Sequence, residues 1–176
     1  MWSYLAAFES GDFSTWLREG NFIGEPFATF YVLLGIHSIG MAAVVGISMM
    51  LASRIFGFQL SMSMQKANQL MGLAWWGFYI NLISGVFIFL AQPRREIITV
   101  LFWSKMLMIV LAVFSMRFLQ KSLATVEMVS GPNGNGDTIE IAPWNVRVTA
   151  LLLILFWLFA IVSGRLIGYT QPPPPL

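Results

Sequence analysis

Cysteine is absent from this chain of 176 residues, and histidine occurs once, at His37. Without cysteine the chain can form no disulfide, no cysteine-bound iron–sulfur cluster, no thiolate zinc site and no cysteine nucleophile. A single histidine also excludes any site that takes two histidines from one copy of the chain, such as a bis-histidine haem.

Charged residues are also scarce. Only 10% of the residues are charged, whereas 57% are hydrophobic, and the mean hydropathy is +0.75. Soluble domains carry about 25% charged residues. The composition therefore excludes an ordinary soluble domain and indicates a membrane protein. The net charge of +2 comes with no basic cluster, so no nucleic-acid partner is expected.

Four apolar segments dominate the chain: residues 28–52, 68–91, 99–119 and 148–169. Each is long enough to cross a hydrocarbon core of about 30 Å at roughly 1.5 Å per residue. The sequence therefore predicts an all-α integral membrane protein, with four transmembrane helices in a bundle over residues 28–170. Both ends of that bundle lie on one side, termed side A, together with a polar turn at 92–98; the opposite side is termed side B.

Basic residues do not decide the orientation by number, since four are expected on side A and five on side B. Several side-B residues, however, lie close to span ends, where the positive-inside rule applies most strongly. This position favours a cytoplasmic side B. The residues concerned are Arg54, Lys66, Arg117 and Lys121.

Three further segments lie outside the spans. The sequence of residues 1–27 predicts an interfacial segment. It contains an amphipathic helix capped by Asp12, and Phe13, Trp16 and Leu17 share one side of this helix. Residues 120–147 predict a polar loop between the third and fourth helices, in which 138–141 alternate as in a short strand or hairpin arm. Residues 171–176 predict a proline-rich tail of the polyproline II type. We expect these segments to bind other subunits of a membrane complex.

Polar side chains inside the spans share one depth. Measured from side A at roughly 1.5 Å per residue, His37 lies about 13 Å deep, Lys105 about 10 Å and Asn81 about 15 Å. An ionisable residue in a span is costly unless it faces protein or water. A shared depth on three different helices therefore predicts a buried polar site.

The residue types at this depth fit a tetrapyrrole. A neutral imidazole can ligate the iron of a porphyrin, so His37 is the predicted metal ligand. Lys105 can pair with a propionate or act as a ligand or base, and Met41, one turn after His37, can supply a further ligand. The propionates can also be held at the side-A rim by Arg94, Arg95 and Arg165. Aromatic walls are expected from Trp75, Trp76, Phe78, Phe102, Trp103 and Trp157.

Each of these residues also has an ordinary structural explanation. His37 and Asn81 can form hydrogen bonds between helices, and Lys105 can extend towards the interface beside Trp103. Met41 can be packing, since methionine adapts to irregular gaps. A separate alternative is Cu(I) binding by the thioethers of Met62 and Met64.

The pattern around these residues resembles a family of small bacterial four-helix integral membrane proteins of unknown function. Its elements here are Tyr31, His37, Gly40, Gly46, Arg54-x-x-Gly57, Gly85 and Trp103-x-Lys105. That family is distantly similar to the CopD copper-resistance membrane domain and to HemJ-type protoporphyrinogen oxidases. The resemblance covers about residues 28–120.

The resemblance implies a four-helix core, and for HemJ-like proteins a haem b held by His37 with Lys105 important nearby. This chain departs from the HemJ pattern, because the further histidines and the proline and aromatic run near Arg54 are missing. It also lacks the accumulated metal ligands of CopD. Porphyrin binding is therefore the expectation, rather than protoporphyrinogen oxidation.

The leading hypothesis is a bacterial inner-membrane protein that binds one haem b, or a related tetrapyrrole, at His37 and serves electron transfer within a larger assembly. One alternative is a cofactor-free membrane anchor or accessory subunit of a multiprotein complex. The other is copper transport through the segment that carries Met62 and Met64. All three describe a subunit or carrier rather than a stand-alone enzyme.

Overall fold

The computed structural model describes residues 2–20, 29–58, 64–130 and 142–170, and these residues form seven helices without a strand. The helices are α1 (Trp2–Glu9), α2 (Asp12–Glu19), α3 (Thr29–Ile55), α4 (Met64–Ala91), α5 (Pro93–Ile97), α6 (Val100–Ser130) and α7 (Trp144–Thr170). The strand or hairpin arm predicted at 138–141 and the tail at 171–176 lie outside the described residues.

Four of these helices, α3, α4, α6 and α7, are long and apolar enough to cross a membrane. They cover the four predicted spans except for the first residue of the first and third spans, so the prediction of four helices of spanning length and polarity is confirmed. Large apolar side chains remain exposed along them, as at Ile39, Phe114 and Val162. Such surfaces are expected where the surrounding solvent is lipid.

The helices that flank the predicted polar loop are longer than expected. α6 continues past residue 119 to Ser130, and α7 begins at Trp144. α6 continues because Met116, Leu119 and Leu123 recur at helical spacing and are all buried. Both ends of the predicted loop at 120–147 are therefore helical.

The four long helices form an antiparallel bundle in the order α3, α4, α6, α7, with α7 returning to α3. The closest approach of α3 and α4 occurs at Gly40 and Gly77. A Cβ atom at Gly40 would lie 2.7 Å from the backbone nitrogen of Asn81 and 2.9 Å from the carbonyl oxygen of Gly77. Only glycine at position 40 permits this backbone contact.

Packing differs between the two halves of the bundle. The hydrophobic core runs from the middle of the bundle towards side B and includes Val44, Leu51, Met71, Met116, Leu153 and Trp157. In the half nearer side A, several of the buried side chains are polar, namely Asn81, Ser84 and Ser163. Larger side chains such as His37 and Phe102 stay half-buried there. The interior of the side-A half is therefore more polar than that of the side-B half.

Helix α2 is docked on the side-A end of α4. The hydroxyl of Ser14 donates to the carbonyl oxygens of Leu90 and Ala91, both at 3.1 Å. The guanidinium of Arg18 donates to the Ala91 carbonyl at 2.9 Å. The last carbonyls of a helix have no partner within it, and a cation there also favours the helix dipole. These bonds hold the N-terminal segment against the bundle.

Two details of the predicted N-terminal helix are wrong. Gly11, rather than Asp12, is the N-cap residue, and Asp12 is the first residue of α2. Leu17 does not share the outer side with Phe13 and Trp16, because it is 1% exposed while they are 47% and 45% exposed. Leu17 lies three residues after Ser14, so both belong to the stripe that docks on the bundle.

Candidate functional site

His37 on α3 is held against α4 by a reciprocal pair of hydrogen bonds. Its Nδ1 lies 2.9 Å from the carbonyl oxygen of Asn81 and 3.2 Å from the hydroxyl oxygen of Ser84. In return, the side-chain amide of Asn81 donates to the carbonyl of His37 at 2.9 Å. The prediction that His37 and Asn81 lie at the same depth is confirmed.

These partners determine which ring nitrogen of His37 carries hydrogen. A carbonyl oxygen can only accept, so Nδ1 donates to Asn81. Ser84 donates its own hydroxyl hydrogen to the Ile80 carbonyl at 2.6 Å, which leaves its oxygen free to accept from Nδ1 as well. In the neutral ring the lone pair therefore lies on Nε2. No described residue forms a hydrogen bond with Nε2, and the side chain is half-buried.

Gly85 provides the space for the imidazole on the face of α4. A Cβ atom at this position would lie 3.0 Å from Cε1 of His37 and 3.4 Å from Nδ1. Any side chain at position 85 would push the ring away from Asn81. The ring is thus placed by two features of one helix face, a hydrogen-bond acceptor and a missing side chain.

Lys105 is the third member of the predicted polar layer. It is half-buried on α6 and lies along Gly164 of α7, where a Cβ atom would be 3.5 Å from Nζ. Lys105 lies within electrostatic range of His37, and Glu96 lies within electrostatic range of Lys105. The structure therefore brings His37, Asn81 and Lys105 together in the half of the bundle nearer side A.

The three arginines predicted for the side-A rim lie at that end of the bundle, and two of them contact other side chains there. Nε of Arg94 lies 3.9 Å from the carboxylate of Glu9, which joins α5 to α1. Arg95 donates to the side-chain oxygen of Gln92 at 3.0 Å within its own turn. Arg165 is exposed on α7, next to Gly164.

Met41, predicted as a further ligand, is half-buried and packs against the hydrophobic core. Its position one turn after His37 places it on the same helix face, so it belongs to the wall that carries His37. Met41 therefore contacts the hydrophobic core, which extends from here towards side B.

The predicted aromatic walls are wrong for most of their members. Trp76 and Trp103 are 69% and 58% exposed on the outside of the bundle. Trp75, Phe78 and Trp157 belong to the core or pack against it. Phe102 alone of the predicted set lies near side A between α4 and α6, stacked on Phe89 with ring centroids 5.5 Å apart.

Sequence reasoning missed Ser84 and Glu96 as residues of the site, and it named Gly85 only as part of the resemblance. Ser84 and Gly85 follow Asn81 by three and four positions, so helical periodicity alone places them on the face that meets His37. Glu96 lies in the predicted turn at 92–98, close in sequence to Lys105. Its relation to the lysine depends on the short helix α5, which begins at Pro93.

Two further observations bear on metals and relatives. Within the described part of the chain, no cluster of three or more His, Asp or Glu residues could hold a metal ion. Met62 lies outside the described residues and the side chain of Met64 is not described, so the Cu(I) alternative stays a prediction. No protein-family model, curated protein or solved structure matches the chain. The resemblance to CopD-type and HemJ-type proteins therefore also stays a prediction.

Proposed function

We propose that this chain is a multi-pass protein of the bacterial inner membrane that binds one haem b, or a related tetrapyrrole, through Nε2 of His37. We further propose that it serves electron transfer within a larger membrane assembly. The observation that carries the proposal is the pair of bonds from Nδ1 of His37 to Asn81 and Ser84. Metal-ligating histidines commonly donate their other ring nitrogen to a carbonyl or carboxylate in this way.

A single histidine nitrogen as the protein's donor fits a metal that is already bound by a macrocycle. One imidazole nitrogen is too few for a bare metal ion, whereas the iron of a haem takes four nitrogens from the macrocycle and needs only axial ligands from the protein. The buried polar side chains of Asn81, Ser84 and Ser163 in the side-A half support a polar site at this level. A bound haem would supply one-electron chemistry.

Each residue near His37 has a separate role in this proposal. Asn81 and Ser84 orient the imidazole, and Gly85 leaves room for it. The ammonium of Lys105 offers a positive charge to a propionate, with Arg165 at the rim as a second cation. Because Arg94 and Arg95 already contact Glu9 and Gln92, their role is to hold the turn between α4 and α6.

The N-terminal segment completes the proposal. We place α1 and α2 at the headgroup level, because α2 is docked at Ala91, where the apolar part of α4 ends. The stacked rings of Phe13 and Trp16 then meet the lipid interface, which aromatic side chains favour. This arrangement covers the side-A end of the bundle beside the proposed haem.

The absorption spectrum of the purified protein tests the proposal. We expect a Soret band, with extracted haem close to a ratio of one per chain. Protein obtained without haem should acquire the band when haem is added in detergent, and the titration should saturate. A colourless protein that takes up no tetrapyrrole contradicts the proposal and favours the accessory-subunit alternative.

Gly85→Ala should weaken haem binding without unfolding the protein. The new Cβ atom would stand 3.0 Å from Cε1 of His37, so the ring must move away from Asn81. Loss of the orienting contacts of a ligand typically costs about 10-fold to 100-fold in affinity. Haem titration followed at the Soret band measures this change.

Gly72→Ala provides the matched control for Gly85→Ala. Gly72 lies on the same helix, and a Cβ atom there meets nothing within 4 Å. This variant should bind haem like the wild type. Equal affinities for the Gly85→Ala variant and the wild type would show that the ring position does not matter for binding.

A further inference from the structure

At the side-B end of the bundle, an arginine is held in place by a tryptophan. The guanidinium carbon of Arg117 on α6 lies 4.4 Å from the ring centroid of Trp75 on α4. The indole nitrogen of Trp75 donates to the side-chain oxygen of Gln120 at 3.0 Å, and its ring packs edge-on against Phe78. The arginine therefore stacks on an aromatic ring whose own orientation is already determined.

The cation and the ring lie close to the edge of the hydrocarbon layer. At roughly 1.5 Å per residue, Arg117 is about 26 Å along α6 from Val100, and Trp75 is about 24 Å along α4 from Ala91. A hydrocarbon core is about 30 Å thick. On the proposed membrane insertion, the pair thus lies at the inner edge of the side-B headgroup layer.

The guanidinium of Arg117 still has hydrogen-bond donors to satisfy. Its side chain is exposed, and no described residue accepts a hydrogen bond from it. Arginine has five N–H donors in a planar fork that matches phosphate oxygens. Stacking on Trp75 restricts the conformations of the Arg117 side chain before any anion binds. Less side-chain entropy is therefore lost when an anion does bind.

The charges around Arg117 favour an anionic partner. The other cations of the described side-B helix ends are Arg54, Lys66, Lys121 and Arg147. The acidic side chains that the structure describes, Glu9, Asp12, Glu19 and Glu96, all lie on or beside the side-A helices. The sequence between Arg117 and Arg147 also carries three acidic residues, Glu127, Asp137 and Glu140, so the five cations of side B exceed the acidic residues there by two. This positive excess favours negative headgroups.

We infer that Arg117, stacked on Trp75, binds the phosphate of an anionic phospholipid in the leaflet at side B. The inference goes beyond the proposed haem site and rests only on the proposed membrane insertion. A protein without haem leaves the inference intact, because the two sites lie in opposite halves of the bundle.

Native mass spectrometry tests this inference with the full chain in detergent, supplemented with phosphatidylglycerol or phosphatidylcholine. We expect the wild type to retain phosphatidylglycerol in preference to phosphatidylcholine, and this preference to fall as salt is added. Arg117→Gln should lose the preference. Arg117→Lys should retain only part of it, because an ammonium keeps the charge without the planar stack.

Lys121→Gln is the matched control, since it removes an exposed positive charge one turn further along α6 and leaves the stack of Arg117 on Trp75 in place. It should retain phosphatidylglycerol like the wild type. Equal preference in Arg117→Gln and the wild type overturns the inference. The lipid assignment is also overturned if millimolar inorganic phosphate alone raises the unfolding temperature as much as phosphatidylglycerol does. If Arg117→Gln does not fold, Arg117→Lys decides the outcome, and full retention of the preference then overturns the inference.

Discussion

Replacing His37 by alanine should abolish the Soret band of the purified protein. The chain has no other histidine that could replace the ligand. The change also removes the contacts to Asn81 and Ser84, but hydrogen bonds between membrane helices contribute only about 0.6 kcal/mol each on average. The variant should therefore fold while losing its pigment. Absorption spectra and thermal unfolding, measured on the same preparation, separate these two effects.

Two comparisons sharpen the test at His37. Ser38→Ala changes the neighbouring residue, whose exposed hydroxyl bonds only to the Leu34 carbonyl one turn back, and should keep the wild-type spectrum. His37→Gly leaves a cavity that free imidazole can enter, so added imidazole should restore the band. A Soret band of full intensity in His37→Ala would exclude His37 as the ligand and move the site elsewhere in the chain.

Gly40→Ala should produce the largest loss of stability among single-methyl additions in α3. Its Cβ atom would lie 2.7 Å from the Asn81 nitrogen and 2.9 Å from the Gly77 oxygen, both backbone atoms that cannot rotate away. Overpacking of this kind typically costs about 1–3 kcal/mol. The helices α3 and α4 must separate, which also stretches the bonds between His37 and Asn81. Unfolding by sodium dodecyl sulfate, followed by circular dichroism, measures the loss.

Gly46→Ala is the control for Gly40→Ala, because a Cβ atom there meets nothing within 4 Å on the same helix. Alanine has the higher helix propensity, so this variant should be as stable as the wild type or more so. Haem affinity provides a second measurement and should fall only in Gly40→Ala. If both variants unfold at the same detergent concentration as the wild type, the close crossing at Gly40 is not present in the protein.

The depth of the polar residues was predictable from sequence because a helix rises by a constant distance per residue. Counting from the ends of the spans placed His37 and Asn81 at one level, and the structure joins them by two hydrogen bonds. The same count placed Lys105 nearby, and it lies within electrostatic range of His37. The number of residues from the end of a span therefore predicts which side chains on different helices lie at the same depth and can contact each other.

The direction in which a side chain points was not predictable in the same way. Trp76 and Trp103 were expected to line the site, yet they face outwards, while Trp157 is fully buried in the core. The spans are apolar on all sides, so hydrophobic periodicity does not distinguish the face that meets protein from the face that meets lipid. For Leu17 on α2, the inward direction depends on the bonds that Ser14 makes with α4.

The sequence by itself determined that the composition is too apolar for an ordinary soluble domain, that four helices of spanning length occur, and that the polar residues of three of them share a level. These properties depend on composition and on distance along one helix. The tertiary structure decided that Nδ1 of His37 is bonded, that Asn81, Ser84 and Ser163 are buried in the side-A half, and that Arg117 stacks on Trp75. Each of these depends on how neighbouring helices are rotated, and that rotation follows from close contacts such as Gly40 with Gly77.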